Sequence, residues 1–189
     1  MTATLADEMA LWARLDTPGY DACRLARSAG GWALNGTAVF ARQSAPTCLN
    51  YLVICDDRWR TIEGNVSGWS GARVINALFT RHSGASWTLN GERSDLVDDC
   101  VDLDFGFTPA TNVLQIRRLA LNVGERVDLT VAWWDVGEQL QKLPQSYERL
   151  TRDTYRYTAP TVGYEAELEV NAHGFVRRYP RLWEEVNPR

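Results

Sequence analysis

The sequence predicts a mainly β fold of the α+β kind: one domain over residues 1–189, built on an antiparallel sheet with a few short helices. Three observations predict it. Residues 163–170, GYEAELEV, alternate strictly, with Tyr164, Ala166, Leu168 and Val170 on one face and Glu165, Glu167 and Glu169 on the other. That period of two means one buried and one solvated face. Asn90-Gly91 stands between two extended segments, and this pair tolerates the positive φ of a two-residue hairpin. Turn signals then recur at short intervals, which makes successive strands antiparallel neighbours.

Taken in order, residues 3–15 (ATLADEMALWARL) read as an N-terminal helix ended at Pro18-Gly19. RSAGGWAL (27–34) and CDDRWRT (55–61) mark tight reversals. CVDLDFGF (100–107) opens as an alternating strand, with Asp102 and Asp104 on one face and Val101, Leu103 and Phe105 on the other. Thr108-Pro109 starts a short helix through Arg118, with threonine as cap and proline in the first turn. VDLTVAWWD (127–135) aligns Val127, Leu129, Val131 and Trp133. GEQLQKLPQS (137–146), polar and broken by Pro144, reads as a loop or a single turn, and TYRYT (154–158) as a strand. VNAHGFVRRY (170–179) turns at a glycine, and YPRLWEEV (179–186) reads as a last short helix.

The composition is that of a soluble globular chain, and 189 residues can bury a sizeable core. A net charge of -4 argues against nucleic acid, which demands a basic face. Lys142 is the only lysine, so the cations are guanidinium forks suited to carboxylate or phosphate. The start, MTATLADEMALWARLD, has neither a basic n-region nor an apolar h-region. YLVIC and VAWW fall far short of the ~20 apolar residues of a membrane helix, so no transmembrane segment is expected. Cys23, Cys48, Cys55 and Cys100 show no Cys-x-x-Cys spacing, and such scattered thiols suit a reducing cytoplasm.

Catalytic signatures fail most tests. The only histidines are His82 and His173, no Gly-x-Ser-x-Gly elbow marks a nucleophile, and SGWSG (67–71) has different spacing. Asp102 and Asp104, roughly 6–7 Å apart along a strand, suit a divalent ion or an acid/base pair, with Asp98 and Asp99 as further ligands. The plainer readings are a solvated strand face, or acids paired with Arg117 and Arg118. On a helix those two arginines point about 100° apart, so they need not share a target. Trp133 and Trp134, consecutive on a strand, face opposite ways, so one of them meets a surface or a cavity unless both faces are covered.

The run VDLDFGFTPATNVLQIRRL with GFVRRYPRLWEEV resembles the bacterial "Putative glycolipid-binding" family, earlier classed as a domain of unknown function. GWALNGTAVF and YLVICDDRWRTIEGNVSG fit its layout as well. One departure stands out: Gln115 occupies a position where the family pattern has proline. The resemblance implies a curved antiparallel sheet, a half-barrel similar to bacterial lipoprotein-localisation factors that hold acyl chains in an apolar concavity. It implies no catalytic residue. The matching motif positions are Asp102, Asp104, Thr108, Pro109, Thr111, Asn112, Arg117, Arg118, Tyr179, Pro180 and Trp183.

The expectation is therefore a cytoplasmic, non-catalytic binding or carrier protein for a glycolipid or other amphipathic small molecule, with acyl chains on the concave sheet face. Arg117, Arg118 and Asn112 are the candidates for a headgroup rim, with Trp69, Trp133, Trp183 and Tyr179 as apolar or stacking contacts. Asp102, Asp104, Thr108, Pro109, Thr111 and Pro180 are expected to pin the corner. No metal and no cofactor is assigned. The rival readings are an enzyme of glycolipid or sugar-phosphate metabolism using Asp102 and Asp104, and an interaction scaffold using Trp134 and the sheet edges.

Overall fold

The computed structural model describes residues 8–186. Eight strands run in sequence through the first half: β1 (Glu8–Arg14), β2 (Gly19–Ser28), β3 (Gly31–Arg42), β4 (Ala45–Asp56), β5 (Thr61–Ser70), β6 (Arg73–Arg81), β7 (Trp87–Leu89) and β8 (Glu92–Arg93). Then come β9 (Leu103–Phe105), helix α1 (Asn112–Leu119), β10 (Arg126–Trp134), β11 (Gln141–Arg149), β12 (Thr154–Ala159), β13 (Tyr164–Val170), β14 (Val176–Tyr179) and β15 (Trp183–Glu185). Short 3₁₀ turns at Asp95–Val97 and Pro160–Val162 complete the elements.

All fifteen strands belong to one curved, unclosed sheet in the order β8-β7-β6-β5-β4-β3-β2-β1-β15-β14-β13-β12-β11-β10-β9. Every pairing is antiparallel except β9 with β10. Two meanders thus meet at a central seam, where β1 pairs with β15 through Trp12–Glu185, Ala13–Glu184 and Arg14–Trp183. The turns follow local chemistry. Asn90 and Gly91 take φ of 53° and 84° between β7 and β8, the positive-φ pair that the sequence predicts. Asp56 Oδ1 accepts the backbone N–H groups of Arg58 and Arg60, closing the β4–β5 reversal.

Four expectations are corrected. Residues 8–14 are strand, not helix, because Ala10 and Trp12 are buried while Met9 points to solvent, a period of two; residues 3–7 lie outside the described part. YPRLWEEV holds a turn and then β15, drawn into extended form by pairing with β14 and β1. GEQLQKLPQS enters β11 at Gln141 despite Pro144. The proline is tolerated because β12 pairs only from Ser146 onward, so one side of β11 is an edge at Pro144. Helix α1 also begins later than expected, at Asn112, with Thr108 to Thr111 forming a turn before it.

The core lies on the inner face of the sheet, and residues 102–116 run through it almost wholly buried. Phe105 and Phe107 stack at 5.3 Å and meet Tyr51 of β4, Phe79 of β6, Phe40 of β3 and Trp134 of β10. One segment is thereby wedged between the two halves of the sheet. Gly64 makes room for it: a β-carbon there would stand 2.2 Å from Leu103 Cδ2.

Gln115, inside α1, is fully buried with both amide atoms lacking a partner. An orphaned buried amide costs about 1–3 kcal/mol. Gln115→Met, which keeps the unbranched shape, is expected to raise stability by about that amount. Thermal unfolding checks this: the midpoint should rise by roughly 2–4 °C per kcal/mol.

Candidate functional site

Asp102 and Asp104 are 1% and 6% exposed, so the solvated-face reading is overturned: the sheet's inner face, not water, receives them. Asp102 accepts a forked pair from Arg118, Nε at 2.8 Å and Nη2 at 2.6 Å, which is the corner ion pair expected from the sequence. Asp104 has no arginine. Thr111 Oγ1 donates to its Oδ1 at 2.6 Å and Gln145 Nε2 to its Oδ2 at 2.8 Å. Burial pushes both carboxyls up from the ordinary carboxylate value, against the hydrogen bonds that hold them. The two acids serve different partners and present no shared oxygen cluster. Among the described residues, no group of three or more His, Cys, Asp or Glu is placed to hold a metal ion.

Arg117 diverges from Arg118, as one-residue helical spacing requires. It donates to the Glu8 carboxylate and to the His173 carbonyl, and its guanidinium lies over Trp59. Arg117 therefore faces a polar hollow of about 510 Å³ shared with Arg149, Arg152, Tyr155 and His173. Both arginines are already engaged within the chain.

A second hollow, about 340 Å³, gathers four of the predicted contacts: Asn112, Trp133, Tyr179 and Trp183. Tyr157, Tyr164 and Leu143 join them on the walls, and Asp104 and Thr108 reach it from the corner. The tyrosines form a connected set, with ring centroids 5.8 Å apart for Tyr157–Tyr179 and 5.0 Å for Tyr164–Tyr179. Tyr164 OH donates to the Pro180 carbonyl at 2.7 Å, which fixes the β14–β15 turn beside the opening. Asn112 Nδ2 donates to Tyr147 OH at 2.7 Å and so is held in place. Trp133 is half-buried and leans on Gly106, where a β-carbon would stand 2.8 Å from indole Cζ2. A ligand cleft lined by aromatics with a few polar groups is the usual form of a small-molecule site.

The remaining positions fall elsewhere. Thr108 Oγ1 donates to Tyr51 OH at 3.3 Å and accepts from the Ala110 N–H, and Pro109 is buried in that turn. Trp134 is 2% exposed and donates to the Gly137 carbonyl, so it offers no surface for a scaffold. Trp69 is on the outer face. It sits in a cross-strand row Tyr20–Val39–Cys48–Trp69–Val74, of which Tyr20 and Val74 are 60% and 81% exposed. Sequence reasoning missed Tyr157 and Tyr164 as cleft residues; the alternation of TYRYT and GYEAELEV signals their inward face, but not that the cavity stays open there. It also missed Gln145, the partner of Asp104, within a stretch read as loop.

The family described as "Putative glycolipid-binding" matches residues 9–185. The chain belongs to that family. A crystal structure of a DUF1089 family protein from Pseudomonas aeruginosa has the same fold, with a TM-score of 0.77 and 22% identity over 96% of this chain and 92% of the other. No curated protein matches the chain. Asp102, Thr108, Thr111, Arg118 and their partners hold the wedge segment that forms one side of the aromatic cleft. None of the described helices is long and apolar enough to cross a membrane.

Proposed function

We propose that this protein is a non-catalytic binding or carrier protein for a glycolipid or other acylated ligand, taken on the part of the concave sheet face that the wedge segment leaves open. The observation that carries the reading is the cleft itself, with Trp133, Tyr157, Tyr164, Tyr179 and Trp183 around Asp104 and Asn112. The family description supports it. The acids favour binding over chemistry, because the oxygens of Asp102 and Asp104 are held by Arg118, Thr111 and Gln145. A cytoplasmic site of action accords with four cysteines that are all free.

Native mass spectrometry of gently purified protein, with and without added glycolipid, tests this. The wild type is expected to retain a lipid-sized adduct, and Trp133→Ala to lose most of it. Truncating one aromatic wall should weaken retention by about 1–3 kcal/mol, or roughly 5- to 150-fold. Trp69→Ala, on the outer face, is the control and should retain the adduct. A wild type that is ligand-free and takes up no glycolipid would sink the reading.

A further inference from the structure

The polar groups lining the cleft are a carboxylate, amides and hydroxyls, among them those of Tyr157 and Tyr179, so donors and acceptors both face it and no cation does. Asp104 receives Thr111 and Gln145 and keeps further lone pairs. Asn112 uses one of its two amide N–H groups on Tyr147, while its Oδ1 has no partner among the described residues. The Thr108 hydroxyl is engaged with Tyr51 and Asp21 behind the cleft, and Tyr164 uses its hydroxyl proton on Pro180. Trp133 Nε1 remains as a donor without a protein acceptor among the described residues. No Lys, Arg or His is among the described residues lining this cleft.

These facts discriminate between headgroups. A phosphate or sulfate is an acceptor with negative charge, and it would meet the Asp104 carboxylate and no cation. An ammonium group would donate, and aromatic walls often attract one. Here, however, cations already hold two of the rings: Arg14 lies 5.1 Å from the Trp183 ring centre and Arg181 lies 5.4 Å from that of Tyr164. Asp135 at the opening is neutralised by Arg42 at 3.1 Å. What remains is a group that donates and accepts without charge and has an apolar face.

Resting on the binding reading above, we infer that this cleft is a subsite for an uncharged, hydroxyl-bearing ring of the glycosyl kind, and that the acyl part of the ligand lies outside it. The ring's C–H face lies on Trp133 and the tyrosines. Its hydroxyls donate to Asp104 and Asn112, and one of them accepts from Trp133 Nε1. The volume of about 340 Å³ is at the small end of ligand pockets, which suits a ring-sized head and not a full lipid.

The test uses three amphiphiles with one common dodecyl tail and different heads: glucoside, phosphate and trimethylammonium. Titration calorimetry below their micelle concentrations reads the affinities, and methyl glucoside serves as a tailless competitor. The glucoside is expected to bind at least about tenfold tighter than the other two, and methyl glucoside to displace it. Gly106→Ala, which pushes the Trp133 indole, and Trp133→Leu should each weaken the glucoside about tenfold or more, with Trp69→Ala unchanged. The two cleft variants are independent, so misfolding of one leaves the other as the test. Phosphate or ammonium binding as tight as the glucoside, and lost in the same variants, overturns the ring assignment but leaves the cleft as a ligand site. Displacement of the glucoside by dodecanol alone, as effective as that by methyl glucoside, overturns the ring assignment in the same way. If no amphiphile binds the wild type, both the ring assignment and the binding reading fall.

Discussion

Arg118→Ala is expected to destabilise the protein by about 3–5 kcal/mol, because it leaves the Asp102 carboxylate buried without its charge partner. Asp102 is 1% exposed and its two oxygens take the Arg118 fork at 2.8 and 2.6 Å. Midpoints of chemical unfolding measure the loss, and its pH dependence identifies the cause. Removing the arginine raises the folded-state value of Asp102 further above its unfolded value. The penalty therefore belongs to the ionised form and is full at neutral pH. It should shrink as pH falls through the raised folded value, where the buried acid takes up a proton. A deficit that stays constant from pH 7 to pH 4 would show that lost packing of the arginine stem, not the orphaned charge, is responsible. Pairing the change with Asp102→Leu should recover part of the loss, since an apolar pair often replaces a buried ion pair at little cost.

The second large effect has the opposite sign. Asp21 on β2 is fully buried, accepts from Tyr51 OH at 2.9 Å through Oδ1, and has no partner on Oδ2. Burial pushes its carboxyl from 3.8 up to about 7, against the pull of Thr108 and Tyr51. A raised acid binds its proton more tightly folded than unfolded. The sheet is therefore most stable where Asp21 is neutral, and it loses stability as pH rises from about 4 through about 7. At about 1.4 kcal/mol per pKa unit, full ionisation costs on the order of 4 kcal/mol. Asp21→Asn keeps the acceptor for Tyr51 and cannot ionise. It is expected to leave stability near pH 4 almost unchanged and to raise it by up to a few kcal/mol at pH 8. Thermal melts of the two proteins across that range check the sign; an asparagine variant less stable at pH 8 would contradict it.

Much of the fold could be read from residue order because its strands are local. Where one face is buried and the other wet, as in GYEAELEV, the period of two is visible and the strand is found. Asn90-Gly91 announces its own turn for the same reason: the required φ is a property of those two residues. Prediction failed where a distant partner decided the conformation. Residues 8–14 have helix-forming composition, yet they are held between β2 and β15, and β15 is more than 160 positions away in sequence. WEE and QKLPQS become strand for the same reason, through pairings that no local pattern records. The site was half legible. Pairing of the two acids with Arg117 and Arg118 was one of the readings the sequence allowed, and of those pairs the structure has Asp102 with Arg118. Trp69 was indistinguishable in sequence from an inward tryptophan, because alternation gives two faces but does not say which is inner.

The seam between the two meanders has a consequence for how the chain reaches this state. Strands β1 to β8 can zip up by successive hairpins as soon as they exist, a sequence of short loop closures. The far side of β1 cannot be completed that way, since its partner Trp183–Glu185 lies about 170 residues further along the chain. During synthesis the N-terminal meander therefore waits with a bare ladder edge at what will become its middle, open to pairing with a neighbouring nascent chain. Among the described residues, three residue pairs, backed by the Leu15–Leu182 and Val186–Leu11 backbone bonds, then close it. Until β15 has emerged, the open edge of β1 stays exposed at what becomes the middle of the sheet.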